Sequence, residues 1–386
     1  MYKPLCRWQD FLWTLALLGP VQSPVPCQTR GRSFPATSFP SQRIKLLPPQ
    51  DRLAELAEEF PPSDLAAILK ALAMSKRRNV PLMKALSFYL TKHRGLLDIK
   101  QLADALFSLN RLSFRDPVTL ETICSELENK LADTGAEGAA VIRSVLTSLG
   151  QTRFLSSSLM DAICLWYQSR EKVEPRDMVA LLVTLSNLNY KPPAHMEMLK
   201  QFASSLEPGP FRSLKRYELV WLDVVWAMVS LDLVNHFHLD SVLNSSFHNL
   251  LLYSGDNKNM AASLKLLNIN AAAKLLHPDY QGPVLNVEED PLLRDMKISP
   301  GLPKVQLRQK VLEAFASIAP PPRFLNLDVN SLLGCQIDGE LVCDSKGSPL
   351  PVIELNKTPE GASKVEHYLI CQIILMTHLP PRWPCW

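Results

Sequence analysis

Glycine is scarce in this chain, with 14 residues among 386 against 31 prolines. There is no G-x-G-x-x-G loop, no H-R-D and no D-F-G, so no motif that holds ATP phosphates, magnesium and a catalytic base is present. A G-x-S-x-G nucleophile elbow is missing as well. The eight cysteines, at positions 6, 27, 124, 164, 335, 343, 371 and 385, include no C-x-x-C pair. That spread argues for a reducing compartment over a disulfide framework, and it reads Cys124 and Cys164 as small buried apolar residues. His236 with His238, and Cys335 with Cys343, lack zinc-ligand spacing, so neither metal nor cofactor is expected. No run of eighteen apolar residues is present, which leaves no membrane span. Charge is also low, with 41 Lys and Arg against 38 Asp and Glu for a net +3. Such a bias permits nucleic-acid binding without demanding it.

What the chain does have is a repeat. Ala105, Leu106, Phe107, Ser108 and Leu109 recur in altered form at 68–72, 145–149, 181–185 and 227–231. Each copy opens with an aliphatic residue or Ala, has Leu or Met second, Ser, Thr or Ala fourth, and Leu last. The closing Leu72, Leu109, Leu149, Leu185 and Leu231 lie 37, 40, 36 and 46 residues apart, the interval of two-helix repeats that stack into a solenoid. Eight or nine residues later stand Pro81, Pro117, Ser158, Pro193 and Leu239, residues suited to a helix start or its first turn. The small fourth residue suits close packing of one helix on the next.

The fold expected is therefore all-α, an α-solenoid with paired helices over 64–75 and 81–93, 98–111 and 117–131, 137–150 and 156–170, 175–188 and 193–205, and 215–232 and 239–251. Ser63, Asp64, Asp98 and Asp177 are read as helix-start residues. Leu53, Leu56, Ala57 and Phe60 place one more apolar helical face ahead of the array. Trp221 and Trp226, among Leu and Val on several faces, read as core aromatics rather than base-stacking platforms. Helices are also expected over 260–276 and 303–318, the first closed by turn residues at 277–283 and the second by Pro320, Pro321 and Pro322. Asp338 and Gly339, between two short apolar runs, predict the turn of a small C-terminal β-hairpin.

Four segments follow: 1–48, a flexible N-terminal segment and candidate targeting region; 49–206, the helical-repeat array; 207–352, helical modules ending in the hairpin; and 353–386, a divergent tail. Within the first, apolar residues 11–18 follow Lys3 and Arg7 in the manner of a secretory signal, whereas 29–45, with Arg30, Arg32, Arg43 and Lys45 and no acid, is nearer a mitochondrial transit peptide. The mixed segment leaves both open.

Cations gather in the loops between paired helices: Lys76, Arg77 and Arg78; Arg111 and Arg115; Arg153; Lys191. Equivalent loops of a solenoid line up along one edge, so these charges are expected to form a stripe that neutralises phosphates. Arg212, Lys215 and Arg216 add a basic cluster with Phe211 and Tyr217 beside it, where bases would stack. Ordinary solvated loops are the competing reading.

The repeat pattern, together with residues 217–239 (YELVWLDVVWAMVSLDLVNHFHL), 277–283 and 332–342 (LLGCQIDGELV), resembles the FAST kinase domain-containing proteins over residues 51–352. The resemblance implies a helical-repeat region, two FAST modules and a C-terminal RAP domain similar to a restriction-type nuclease. It further implies an RNA-binding protein of the mitochondrial matrix that processes precursor transcripts and stabilises a subset of messenger RNAs, with mitochondrial RNA and other RNA-processing proteins as partners. This chain departs from that pattern where its tail from Ile353 stands in place of the RAP domain. A non-catalytic RNA-binding chain, an isoform or partial product, is thus expected, and a helical protein-binding scaffold is the alternative.

Overall fold

The computed structural model describes residues 50–214, 216–253, 260–286, 302–330, 336–343, 348–352 and 366–371. The expected N-terminal segment and most of the expected divergent tail lie outside them. Of the described residues, 50–207 and 231–233 fall in one compact unit, and 208–230 with those from 234 onward fall in a second.

In the first unit α1 (Gln50–Glu55) continues as a 3-10 turn and precedes four helix pairs: α2 (Pro62–Met74) with α3 (Val80–Lys92), α4 (Ile99–Arg111) with α5 (Pro117–Leu131), α6 (Ala139–Thr152) with α7 (Ser157–Gln168), and α8 (Pro175–Leu188) with α9 (Met196–Ser205). The first members form one layer, α2 on α4, α4 on α6 and α6 on α8. The second members form another, with α3 on α5 and α5 on α7, and α7 against the 3-10 turn Pro193–His195 that leads into α9. Two layers stacked by nearest neighbours are the α-solenoid the repeat predicts.

The recurring pentapeptides explain the stacking. Leu109, Leu149 and Leu185 are fully buried and Leu72 nearly so, each removing about 1.5–3 kcal/mol of apolar surface from water. At the fourth place Ser108, Ser148 and Thr184 are buried too. Thr184 Oγ1 donates to the Leu146 carbonyl at 3.0 Å, across from α8 to α6. Nearby, a Cβ on Gly150 would come within 3.3 Å of that same hydroxyl, so α6 approaches α8 closely there. Side-chain bonds tie the layer further: Lys70 to Asp104, Asn110 to Gln151 and Arg143 to Asp177, each at 2.6 Å.

Each closing leucine also ends its helix. The amide five residues on donates to its carbonyl: Arg77 to Leu72, Phe114 to Leu109, Phe154 to Leu149 and Tyr190 to Leu185, at 3.0, 2.9, 3.3 and 3.0 Å. The residue between is left-handed: Lys76, Ser113, Arg153 and Asn189, with φ of 54°, 52°, 54° and 51°. This is the Schellman termination. The fifth copy departs from the sequence reading. The left-handed residue after α10 (Tyr217–Leu231) is Asp232, four places beyond Met228, so Met228 takes the closing place and the match at Leu231 is one helical turn late. Both lie on one buried face, which is why the sequence pattern admits either.

Among the helix starts, Asp98 forms a capping box with Gln101, and Asn79 and Asp116 cap α3 and α5. Three expected starts are corrected. Pro61 holds the N-cap of α2, so Ser63 and Asp64 sit in the first turn without capping. Glu174 holds the N-cap of α8, so Asp177 also sits in a first turn without capping, buried and receiving Arg143.

The second unit comprises α10, α11 (His236–Leu243), α12 (Ser245–Tyr253), α13 (Met260–Leu276), α14 (Leu302–Ile318) and three strands. Trp221 is fully buried and Trp226 nearly so, as expected of core aromatics. Trp221 Nε1 donates to Ser241 Oγ at 2.8 Å, Lys265 of α13 meets Asp223 of α10 at 2.6 Å, and Asn270 binds both backbone groups of Leu285. The strands β1 (Leu325–Asn330), β2 (Gln336–Cys343) and β3 (Glu366–Cys371) form an antiparallel sheet in the order β1-β2-β3.

An antiparallel β pair is present, but its turn is not where the sequence places it. Asp338 and Gly339 lie inside β2, at a bulge in its pairing with β3. Gly339 pairs with Leu327 on one side and Ile370 on the other, and the buried Asp338 receives Arg308 of α14. The Asp-Gly pair supplies a bulge and a helix contact instead of a primed turn. The β1–β2 connection falls on 331–335, outside the described residues.

Candidate functional site

All four corners of the first unit share one geometry: a Schellman end, a left-handed residue, a few linking residues and the start of the outer helix. The predicted cations Lys76, Arg77, Arg78, Arg111, Arg115, Arg153 and Lys191 all belong to these corners, so the fold brings them to one edge. Part of their placement is local, because positive charge is favoured at helix C-termini.

Their partners divide them. Arg78 Nε donates to the Leu112 carbonyl of the next corner at 3.0 Å, and Arg111 Nε donates back to the Ala73 carbonyl at 3.0 Å, so these two arginines brace adjacent repeats. Arg111 also lies 5.8 Å from the centre of the Phe107 ring. Lys191 is neutralised by Asp232. Lys76, Arg77, Arg115 and Arg153 are exposed, and among the described residues no carboxylate pairs with them.

Arg77 is exposed at a place in the motif that packed residues hold elsewhere. The corresponding residues after the other left-handed corners, Phe114, Phe154 and Tyr190, are aromatic and packed. Tyr190 is fixed further by donating to Asp161 at 2.9 Å, and burial followed by that bond pushes its hydroxyl up to about 12. Arg153 is held below its ordinary pKa first by partial burial and then by the charge of Arg115. Arg115 and Arg153 stand at the consecutive α4–α5 and α6–α7 corners of the stack, where α4 packs on α6.

The basic cluster of the second unit is thinner than its sequence suggests. Arg212 is exposed, Arg216 lies 3.6 Å from Glu218, and Lys215 is outside the described residues. Phe211 is buried and stacked on Trp221 at 6.0 Å, so it is core and does not offer a face to a base. Tyr217 begins α10 and is half-buried.

What the sequence did not reveal was the acceptors. Leu112 and Ala73 act through main-chain carbonyls, which no residue type advertises, and Asp232 lies 41 residues from Lys191. Among the described residues no group of three or more His, Cys, Asp or Glu could hold a metal ion, and no helix is long and apolar enough to cross a membrane.

Comparison with known proteins gives two adjacent matches. Residues 178–252 match the model of FAST kinase-like protein, subdomain 1, and residues 263–351 match subdomain 2. The chain is 28% identical over 309 residues to FAST kinase domain-containing protein 4 of Homo sapiens, covering 78% of this chain and 47% of that protein. The Rattus norvegicus and Mus musculus proteins of that name are each 26% identical, over 314 and 315 residues, with the same coverage. The chain thus spans about half the length of these relatives. Lys76, Arg77, Arg115 and Arg153 precede both matched subdomains, while Lys191, Arg212, Lys215 and Arg216 lie within the first.

Proposed function

From a chain that carries both FAST kinase-like subdomains, we propose an RNA-binding protein of the mitochondrial matrix, acting in processing of precursor transcripts and stability of mitochondrial messenger RNAs without chemistry of its own. The observation that carries this reading is the set of exposed corner cations, Lys76, Arg77, Arg115 and Arg153, which pair with no carboxylate among the described residues. A polyanion neutralises such a row by releasing counterions, which gives affinity without sequence readout. Mitochondrial RNA is the ligand in this reading, and other RNA-processing proteins are its companions.

The competing reading is a helical scaffold for proteins. In its favour, Phe88 on α3 and Leu165 on α7 are 61% and 60% exposed at corresponding places on the second layer. Ser125 of α5 interrupts them, however, so no continuous apolar strip results. Crosslinking the full chain in cells and sequencing any attached RNA tests the choice. The RNA reading expects mitochondrial transcripts on the recovered chain; recovery of the chain with proteins and no RNA contradicts it. Protease protection of the chain in isolated mitochondria tests the compartment, and full digestion without membrane rupture overturns it.

A further inference from the structure

Three joints of the repeat can be compared at the place two residues past the left-handed corner. Arg78 reaches forward to the Leu112 carbonyl, and Lys191 reaches forward to the carboxylate of Asp232. Arg115 holds the same place at the joint between them, where α4 packs on α6 as α2 packs on α4. The corner ahead of it carries Arg153. By repeat equivalence Arg115 is directed at the corner that carries Arg153, a cation where the neighbouring joints supply an acceptor, and no carboxylate among the described residues pairs with either arginine.

The chain beside this pair has a second feature. Ser156, three residues after Arg153, is the N-cap of α7 and makes no side-chain cap, as at the starts of α2, α6, α8 and α9, whereas Asn79 and Asp116 cap α3 and α5. The first-turn amides of α7 thus lack a side-chain acceptor, and Ser157 and Ser158 are exposed there. Amides at a helix start favour an anion. A guanidinium fork matches phosphate oxygens better than a point charge does.

We propose that Arg115 and Arg153 form a two-guanidinium seat for one phosphodiester group of bound RNA, supported by the first turn of α7. The seat rests on the RNA-binding reading above. Each arginine takes one non-bridging oxygen, and the bound charge removes the repulsion between them. Arg78, Arg111 and Lys191 act in the joints and stay outside the seat.

The test uses the full chain with Arg115→Gln, Arg153→Gln and both together, measuring affinity for a single-stranded RNA oligonucleotide across salt concentrations, and thermal unfolding without RNA. Each single change is expected to weaken binding about three- to tenfold, and the pair less than the product of the two, because one phosphate is shared. The slope of log affinity against log salt is expected to fall by about 0.7, the value for one phosphate on a single strand. Without RNA each single variant unfolds at a higher temperature, since like-charge repulsion is relieved. Wild-type binding that the variants match overturns the seat and leaves the RNA reading standing; no wild-type binding overturns both. Weaker binding with a lower unfolding temperature overturns the seat in favour of a structural role. If inorganic phosphate raises the unfolding temperature of the wild type while RNA affinity ignores the pair, the site takes free phosphate and the phosphodiester assignment is overturned.

Discussion

Single residues decide how each helix of the array stops. Lys76, Ser113 and Arg153 occupy left-handed backbone, a conformation that costs a residue with a Cβ about 1 kcal/mol relative to glycine. Lys76→Gly and Ser113→Gly are each expected to stabilise the chain by about 0.5–1 kcal/mol, seen as a higher denaturant midpoint; a lower midpoint would show that the side chain does more than bear strain. Because lysine, serine and arginine replace the usual glycine, the sequence gives no stop signal at these corners. The closing leucines, by contrast, were legible, since burial and position in the last turns coincide.

Two thiols report burial at the same scale. Burial first, then nearby carboxylates, pushes Cys124 and Cys164 up from 9.0 to about 12. The folded chain therefore holds these protons more tightly than the unfolded one. Stability from this source is complete below pH 9 and is lost as pH rises from about 9 toward 12. Site-resolved mass spectrometry after alkylation at pH 8 should find both thiols unmodified until denaturant is added; ready modification in the folded chain contradicts their burial.

Among elements, the ion pairs differ more in burial than in distance. Asp177 is 4% exposed and meets Arg143 at 2.6 Å across α6 and α8, whereas Lys92 and Glu58 are 54% and 63% exposed. Removing Arg143 strands a buried carboxylate, so Arg143→Ala should cost about 3 kcal/mol in equilibrium unfolding. Lys92→Ala should cost about 0.5 kcal/mol or less. Equal costs would mean that Asp177 is rescued by water. Leu109→Ala, which empties a fully buried place between layers, should cost about 2–5 kcal/mol in the same measurement.

Element type was readable from helical spacing, which reports burial on one face. The β region was less so, because an Asp-Gly pair fits both a primed turn and a bulge. Inside the sheet Asp338 receives Arg308 of α14, 30 residues earlier. The sequence holds no local trace of that contact. The burial of Asp177 in the first turn of α8 was hidden for a related reason: its partner Arg143 is 34 residues away.

At the largest scale, stacking in the first unit sets adjacent corners side by side, as the bonds from Arg78 to Leu112 and from Arg111 to Ala73 show. Which cations also brace the array was beyond spacing, because Arg78 and Arg111 bind main-chain carbonyls of adjacent repeats and Lys191 a distant carboxylate. The distinction changes how a substitution is interpreted. Replacing Lys76, Arg77 and Arg78 together removes three exposed charges, one of which, Arg78, also braces the next repeat, so lost binding in that variant mixes stability with contact.

Salt-dependent RNA affinity of the wild type beside two variants separates these effects. One variant, Arg77→Ala with Arg115→Ala and Arg153→Ala, removes exposed corner charge; the other, Arg111→Ala alone, removes a brace. The account predicts that the triple variant lowers the slope of log affinity against log salt by about 1.4, equivalent to two phosphates on a single strand, while Arg111→Ala leaves the slope unchanged and lowers stability. Identical slopes for the wild type and the triple variant would contradict the claim that this edge holds RNA.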